Sequence, residues 1–278
     1  MVIYPEYLSK EPIRTSKKQK KLARQLTSPL KKDARLVVDR VGRWFLHIPV
    51  QQPVETQDRF PLEREGLAAI DPGVCAFLSY YSPDRQVAGQ IGVQYDRDML
   101  FRLCELLDDL VSRMYKAKGK PLGPDSENIG SRRRHKMKKA EHRLRIRIRN
   151  KVKDIHHKAA HFLTTHFRYI LLPKFDVSKM TKKEDDQGNR RILRNKSVRQ
   201  MLTWSHYRFR QVLLHQAHKR SCKVLLCQED YTSKTCGRCG RTYKVGGSRV
   251  FECSTCHFKA NRDIQAARNI CIKHLSVL

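Results

Sequence analysis

Four cysteines near the C-terminal end constrain this chain more than any other feature. Cys236 and Cys239 form one CxxC pair, Cys253 and Cys256 a second, and 13 residues lie between Cys239 and Cys253. A tight turn holding two thiolates makes half a tetrahedral site, and two such turns supply four sulfurs at the roughly 2.3 Å that Zn²⁺ takes. The spacing is close to a zinc-ribbon pattern. Four protein ligands leave no open position for a substrate, so the expectation is one structural Zn²⁺ in a module over 231–260. A carboxylate flanks the module on each side, Glu229 before and Asp263 after, and chemistry is better sought there.

Charge names the kind of partner. Lys and Arg number 58 against 27 Asp and Glu, a net charge of +31, which points to a polyanion because each neutralised phosphate releases condensed counterions. That balance argues against an ordinary small-molecule enzyme. A 40% hydrophobic content argues against a disordered basic protein. No run approaches the roughly 20 apolar residues that span a bilayer, so no membrane partner is expected. The N-terminus lacks a charged region followed by an apolar stretch, and the cysteine total, nine, is odd. Both features point to a reducing compartment, with Cys75, Cys104, Cys222, Cys227 and Cys271 as packed or inert thiols.

Periodicity divides the chain into a basic tail over 1–33, a β-hairpin and linker over 34–65, and a main α/β domain over 66–278. The hairpin turns at Val41-Gly42. Strands over 67–71, 77–81 and 87–93 make a meander, followed by a helix over 97–118. A long helix over 131–167 carries an apolar stripe through Met137, Ala140, Leu144, Ile148, Val152, Ile155, Ala159 and Phe162. Its other face presents Arg132, Arg133, Arg134, Lys136, Lys138, Lys139, Arg143, Arg145, Arg147 and Arg149, suited to tracking phosphates. A strand over 169–172 and an acidic loop over 181–189 come next. One amphipathic helix over 192–219 is expected, with Val198, Met201, Leu202, Phe209, Val212, Leu213 and Ala217 on its buried face. A strand over 223–227 leads into Glu229, and a last helix runs over 264–274. His157 and His161 stand four apart on the long helix and read as ordinary helix histidines.

Asp71, Glu229 and Asp263 therefore stand at strand ends or a helix start. Singly, each has a bland reading: a turn Asp before Pro-Gly, a surface charge, a helix N-cap. Together, in this order of elements, they look like an RNase H-like fold of the RuvC class, in which carboxylates from separate segments hold two hard divalent ions.

Longer motifs agree. Ala69-Ile70-Asp71-Pro72-Gly73-Val74 resembles the first RuvC motif of the TnpB family of transposon-encoded, RNA-guided nucleases. Tyr231-Thr232-Ser233-Lys234-Thr235-Cys236-Gly237-Arg238-Cys239-Gly240 resembles the opening of that family's zinc ribbon, and Arg262-Asp263-Ile264-Gln265-Ala266-Ala267-Arg268-Asn269-Ile270 its third RuvC motif. The resemblance implies a divalent-metal-dependent endonuclease, with two Mg²⁺ or Mn²⁺ held by Asp71, Glu229 and Asp263, Zn²⁺ on the four cysteines, a DNA target and a guide RNA. It also implies a nuclear location in a eukaryote and a cytoplasmic one otherwise. The usual second acid follows the strand that here ends in Pro173-Lys174, neither of which binds a metal. In Fanzor proteins that Glu is relocated to just before the ribbon, where Glu229 stands; the stretches 172–180 and 201–209 are also similar to Fanzor. The strand ending at Cys227 can lie beside the strand carrying Asp71, and Asp230 is the weaker rival because neighbouring strand residues face opposite ways. Arg268 either contacts a phosphate near the metals or caps a neighbouring element. Family members generally carry more sequence before the first motif, so the hairpin is expected to be a remnant of a wedge region in a truncated chain. The alternative is a non-catalytic, transposon-derived zinc-ribbon protein that only binds nucleic acid.

Overall fold

The computed structural model describes residues 2–3, 13–14, 33–40, 42–49, 66–118, 129–184, 188, 190–191, 193–243, 246 and 248–275. Most of the basic tail, the linker over 50–65 and most of the acidic loop lie outside these residues. The chain forms two compact units, Met1–Gln52 and Pro53–Leu278. In the first, β1 (Val2–Ile3) pairs with β2 (Ile13–Arg14), and β3 (Arg35–Val38) pairs antiparallel with β4 (Trp44–His47). Asp39 closes the second hairpin by accepting from the backbone N–H of Arg43 at 2.9 Å.

The second unit is built on a five-stranded sheet in the order β7-β6-β5-β8-β9. Its central strand, β5 (Leu67–Pro72), reads as an unbroken apolar run until Asp71 because both of its faces are covered. β6 (Leu78–Ser82) and β7 (Val87–Ile91) continue from it as the antiparallel meander. On the other side β8 (Tyr169–Pro173) runs parallel to β5, and β9 (Lys223–Cys227) runs parallel to β8. The expectation that β9 lies beside β5 is thereby corrected: β8 stands between them. β8 supplies a short, wholly apolar segment, which suits the inside position.

Helices cover the two faces unequally. α1 (Tyr95–Lys118) and α2 (Ile129–His166) connect β7 to β8. α3 (Val177–Thr181), α4 (Asn195–Trp204) and α5 (His206–Lys219) connect β8 to β9. Ala68 and Ile70 of β5 pack with Ile155, Ala159, Leu163, Phe209 and Leu213 on one face. Leu67 and Ala69 point the other way, onto Ile270 and Cys271 of α6 (Arg262–His274). The stripe of α2 is buried at Val152, Ile155 and Ala159, while Met137, Ala140, Leu144, Ile148 and Phe162 are half-buried.

The single helix expected over 192–219 is two. Ser205 adopts the left-handed conformation (φ 52°, ψ 50°) and turns α4 into α5. The break changes which residues are inside. Trp204 is fully buried, whereas Leu202, assigned above to the buried face, is 52% exposed. Phe77 explains why the break is tolerated. Its ring is stacked against His156 at 5.1 Å and His206 at 5.2 Å, and lies 5.0 Å from both Trp204 and Phe209. Aromatic pairs contribute about 0.5–1.5 kcal/mol each beyond the area they bury, enough to offset one strained serine. Gly92 (φ 71°) passes so close that a Cβ there would sit 2.6 Å from that of Phe77.

Candidate active site

Strand alternation decides where Asp71 faces. It shares the parity of Leu67 and Ala69, so its carboxyl projects over the α6 side of the sheet, away from the main helical core. Asp263 sits in the first turn of that same α6, where the partial positive charge of the helix end favours a carboxylate. It is not the N-cap. Asn261 is, its side-chain oxygen accepting from the N–H groups of Asp263 at 3.0 Å and Ile264 at 3.3 Å. Two residues before Glu229, Cys227 packs on the α6 side of β9. Beyond it the chain is tied down. Thr232 donates its N–H and Oγ1–H to the Glu229 carbonyl at 3.2 and 2.8 Å. His274 and Lys273 at the end of α6 donate to the carbonyls of Gln228 at 2.9 Å and Asp230 at 3.2 Å. One helix thus carries Asp263 and holds the segment bearing Glu229.

Asp71, Glu229 and Asp263 do not draw together as a metal-binding group in this structure, but the charges of Asp263 and Glu229 both act on Asp71. Burial pushes the Asp71 carboxyl well above the usual carboxylate range, and the charges of Asp263 and Glu229 push it further; the Arg262 guanidinium pulls the other way. Glu229 is raised by its own burial and then by Asp230. Asp230 is exposed and absent from the charges acting on Asp71. Arg262 lies 3.6 Å from Asp263 and also donates to the Gly246 carbonyl at 3.1 Å.

The turn after Asp71 is clamped from the opposite face. Trp204 donates its indole N–H to the Val74 carbonyl at 3.1 Å, and His206 Nε2 donates to the Gly73 carbonyl at 3.1 Å. Both side chains sit on either side of the Ser205 break, so the break is what lets two residues two apart reach adjacent carbonyls. Burial holds the His206 imidazole down to about 3 and that of His156 to about 4, the latter while its Nε2 engages the Trp204 carbonyl at 2.8 Å. The amphipathic reading passes over Trp204 and His206. In the structure these buried positions are two apart, where a continuous helix needs three or four.

The four cysteine sulfurs gather within 4.8 Å of one another, the one such group of metal-binding side chains among the described residues. Cys236 to Cys256 and Cys239 to Cys253 are each 3.6 Å apart. A tetrahedron with arms of about 2.3 Å has edges of about 3.8 Å, so the donor set and its spacing fit Zn²⁺. β10 (Val250–Glu252) and β11 (Lys259–Asn261) form the hairpin that carries the second pair. Side chains of α6 stitch the first pair to the sheet. Gln265 donates to the Thr235 carbonyl at 3.1 Å, Asn269 to those of Thr232 at 2.8 Å and Thr235 at 2.7 Å, and Arg268 to that of Gly237 at 2.9 Å. A Cβ on Gly237 would lie 2.6 Å from the Arg268 guanidinium, which is why a glycine stands there. Arg268 therefore caps the first knuckle.

On α2, all ten basic residues from Arg132 to Arg149 named above are exposed, and among the described residues only Arg145 is ion-paired, with Glu141 at 2.8 Å. His157 and His161 form no metal group; the ring of His161 meets the Arg220 guanidinium at 2.9 Å.

A sheet of this order and mixed direction, with an acid at the end of its central strand, is the RNase H-like fold of the RuvC class, and here it carries a Cys₄ knuckle compatible with a zinc ribbon. Residues 206–270 match the family described as Cas12f1-like, TNB domain. The TnpB-like protein L79 of Acanthamoeba polyphaga mimivirus is 28% identical over 232 residues, which cover 82% of this chain and 40% of that protein. The putative RNA-guided DNA endonuclease InsQ of Escherichia coli is 27% identical over 254 residues, 89% of this chain and 58% of that one. The chain is similar to TnpB-like proteins over most of its length and spans about half the length of these curated relatives. A cryo-EM structure of a CRISPR-Cas12f ternary complex superposes with a TM-score of 0.49 at 19% identity, covering 85% of this chain and 44% of the other.

Proposed function

We propose that this chain carries the DNA-cutting domain of a transposon-encoded, RNA-guided endonuclease. The observation that supports it best is Asp71 at the end of the central strand, its carboxyl raised first by burial and then by Asp263 and Glu229, which lie 192 and 158 residues further along the sequence. Like charges acting on a largely desolvated carboxyl are costly unless a cation answers them, and a set of hard oxygen donors suits Mg²⁺ or Mn²⁺. Asp71, Glu229 and Asp263 would hold two such ions, which when bound supply an activated water and neutralise the leaving 3′-oxygen. Glu229 takes the second-acid role in the Fanzor manner, since Pro173 and Lys174 follow the strand where that acid usually stands. The exposed cations of α2 hold the phosphate backbone without reading sequence. A guide RNA supplies the sequence choice, as the name of the InsQ relative suggests. The four cysteines hold Zn²⁺ as a structural ion.

The test is cleavage of single- and double-stranded DNA by purified protein, with and without co-expressed RNA, in Mg²⁺ or in EDTA. Mg²⁺-dependent cleavage that disappears in Asp71→Ala is expected. Cleavage that persists in that variant is a contaminant's, and its persistence leaves the chain as a nucleic-acid-binding module.

A further inference from the structure

Between α1, α2, α4 and α5 lies a cavity of about 480 Å³ that the proposed chemistry does not use. Its walls are cationic. Arg145, Arg149 and Lys153 line it from successive turns of α2, and Arg199 and Arg208 approach from α4 and α5. Two of these five are answered by carboxylates, Arg145 by Glu141 at 2.8 Å and Arg199 by Asp108 at 2.9 Å. Arg149, Lys153 and Arg208 have no ion-pair partner among the described residues. The floor is apolar, formed by Ile148, Val152, Leu202 and Val212. Leu202, 52% exposed, is the part of this apolar lining most open to solvent.

An apolar slot under a rim of unpaired cations fits a flat, weakly polar group joined to anions. A nucleobase with its flanking phosphates has that composition. A fully apolar ligand has no use for the rim, and a free phosphate has none for the floor. The volume lies within the usual range for small-molecule sites, about 300–1,000 Å³. We propose that this cavity receives an unpaired base of a single-stranded polynucleotide whose backbone runs along α2. The inference rests on the reading that the chain binds nucleic acid, and names a separate site for it.

The polar groups of the slot also set its selectivity. Thr203 Oγ1 donates to the Arg199 carbonyl at 2.7 Å, Ser205 Oγ to that of Leu202 at 3.1 Å, and His156 Nε2 to that of Trp204 at 2.8 Å. These three groups are engaged within the fold, which leaves His157 and the unpaired cations as the slot's free donors. Binding should be largely tolerant of base identity and similar for DNA and RNA strands, because the slot offers mainly apolar contact and positive charge.

Fluorescence anisotropy of the full chain tests this with four labelled 20-mers: oligo-dT, oligo-U, an abasic DNA strand and a DNA duplex. Leu202→Trp fills the slot from an exposed position without changing charge, and its circular dichroism should match the parent. It should weaken oligo-dT and oligo-U by roughly five- to tenfold and leave the abasic strand and the duplex unchanged. Arg149→Ala should weaken all four and lower the salt slope by about one. If Leu202→Trp leaves every affinity unchanged while all four still bind, the slot takes no base. If it weakens the abasic strand as much as oligo-dT, the site is an electrostatic patch only. Displacement of oligo-dT by polyglutamate but not by abasic DNA assigns the slot to an acidic protein partner and overturns the proposal. Failure of the nucleic-acid reading itself shows differently: none of the four 20-mers binds.

Discussion

His206 donates its Nε2–H to the carbonyl of Gly73, two residues past Asp71, at 3.1 Å. The bond crosses from the helical face of the sheet to the turn that carries the candidate acid. It fixes the neutral tautomer of a buried imidazole and, with Trp204 on Val74, holds two successive carbonyls of that turn. His206→Ala removes the bond and one ring from the stack on Phe77. A stability loss of about 2–4 kcal/mol in urea unfolding is expected. Among folded molecules, Mg²⁺-dependent cleavage should fall by roughly ten- to a hundredfold, the usual effect of displacing a reacting group by about 1 Å. A variant that unfolds more easily but cuts at the parental rate when folded removes any positioning role.

The same histidine sets an acid limit on the fold. His206 and His156 ionise at about 3 and about 4 in the native state, against an ordinary value of 6.5, chiefly because burial disfavours the imidazolium. Between those values and about pH 6.5 the unfolded chain binds more protons than the native one, so stability falls as pH falls. Each group contributes a slope of at most about 1.4 kcal/mol per pH unit in that window. Urea midpoints should hold steady from pH 8 to 7 and drop steeply from 6 to 4.5, and His206→Gln should flatten the drop. An unchanged slope in that variant shows that other groups control acid unfolding.

Much of this arrangement was legible beforehand, for identifiable reasons. The unbroken apolar run before Asp71 announces a doubly covered strand, and the two CxxC pairs announce the knuckle, because each pattern has few alternative uses. The bend at Ser205 was not legible. It has neither Gly nor Pro, and it exists because Phe77, far away in the chain, gathers the aromatic residues on both sides of it. The place of β9 was also hidden, since apolar strands carry no mark of their neighbours; only the parallel register of Leu171 with Leu225 reveals it. Although β8 stands between β5 and β9, Glu229 still lies near enough for its charge to act on Asp71.

Removing the charge at Asp71 should strengthen the metal-free fold. Its carboxyl is raised by burial and then by Asp263 and Glu229, so between its ordinary value of 3.8 and its native value the folded chain binds the extra proton. Stability from this group therefore declines as pH rises through that window. Asp71→Asn removes the conflict and should raise stability at pH 7.5 in EDTA by about 1–2 kcal/mol while abolishing cleavage in Mg²⁺. Thermal unfolding in EDTA measures the first and gel assays the second. A destabilised Asp71→Asn chain shows that the carboxylate is already compensated without metal, Arg262 being the nearest group able to do so.

Loss of the bound metal at the cysteines should reach Glu229. The first knuckle is joined to α6 through Gln265 and Asn269, which hold the carbonyls of Thr232 and Thr235, and Thr232 in turn holds the carbonyl of Glu229. The knuckle's own core is small: Cys236, Phe251 and Cys253 are its buried residues. Without an ion to draw four sulfurs together, that cluster is too small to close the loops. Cys253→Ser should lower zinc content below the one ion per chain expected from elemental analysis. Backbone amides of 229–236 should then exchange hydrogen at least tenfold faster, while those of β5 and β8 keep their protection. The same variant should lose most Mg²⁺-dependent cleavage with little change in duplex affinity, because the cations of α2 lie on a different element. Unchanged exchange at 229–236 in a zinc-free chain means that α6 alone holds Glu229 in place and that the knuckle serves another purpose.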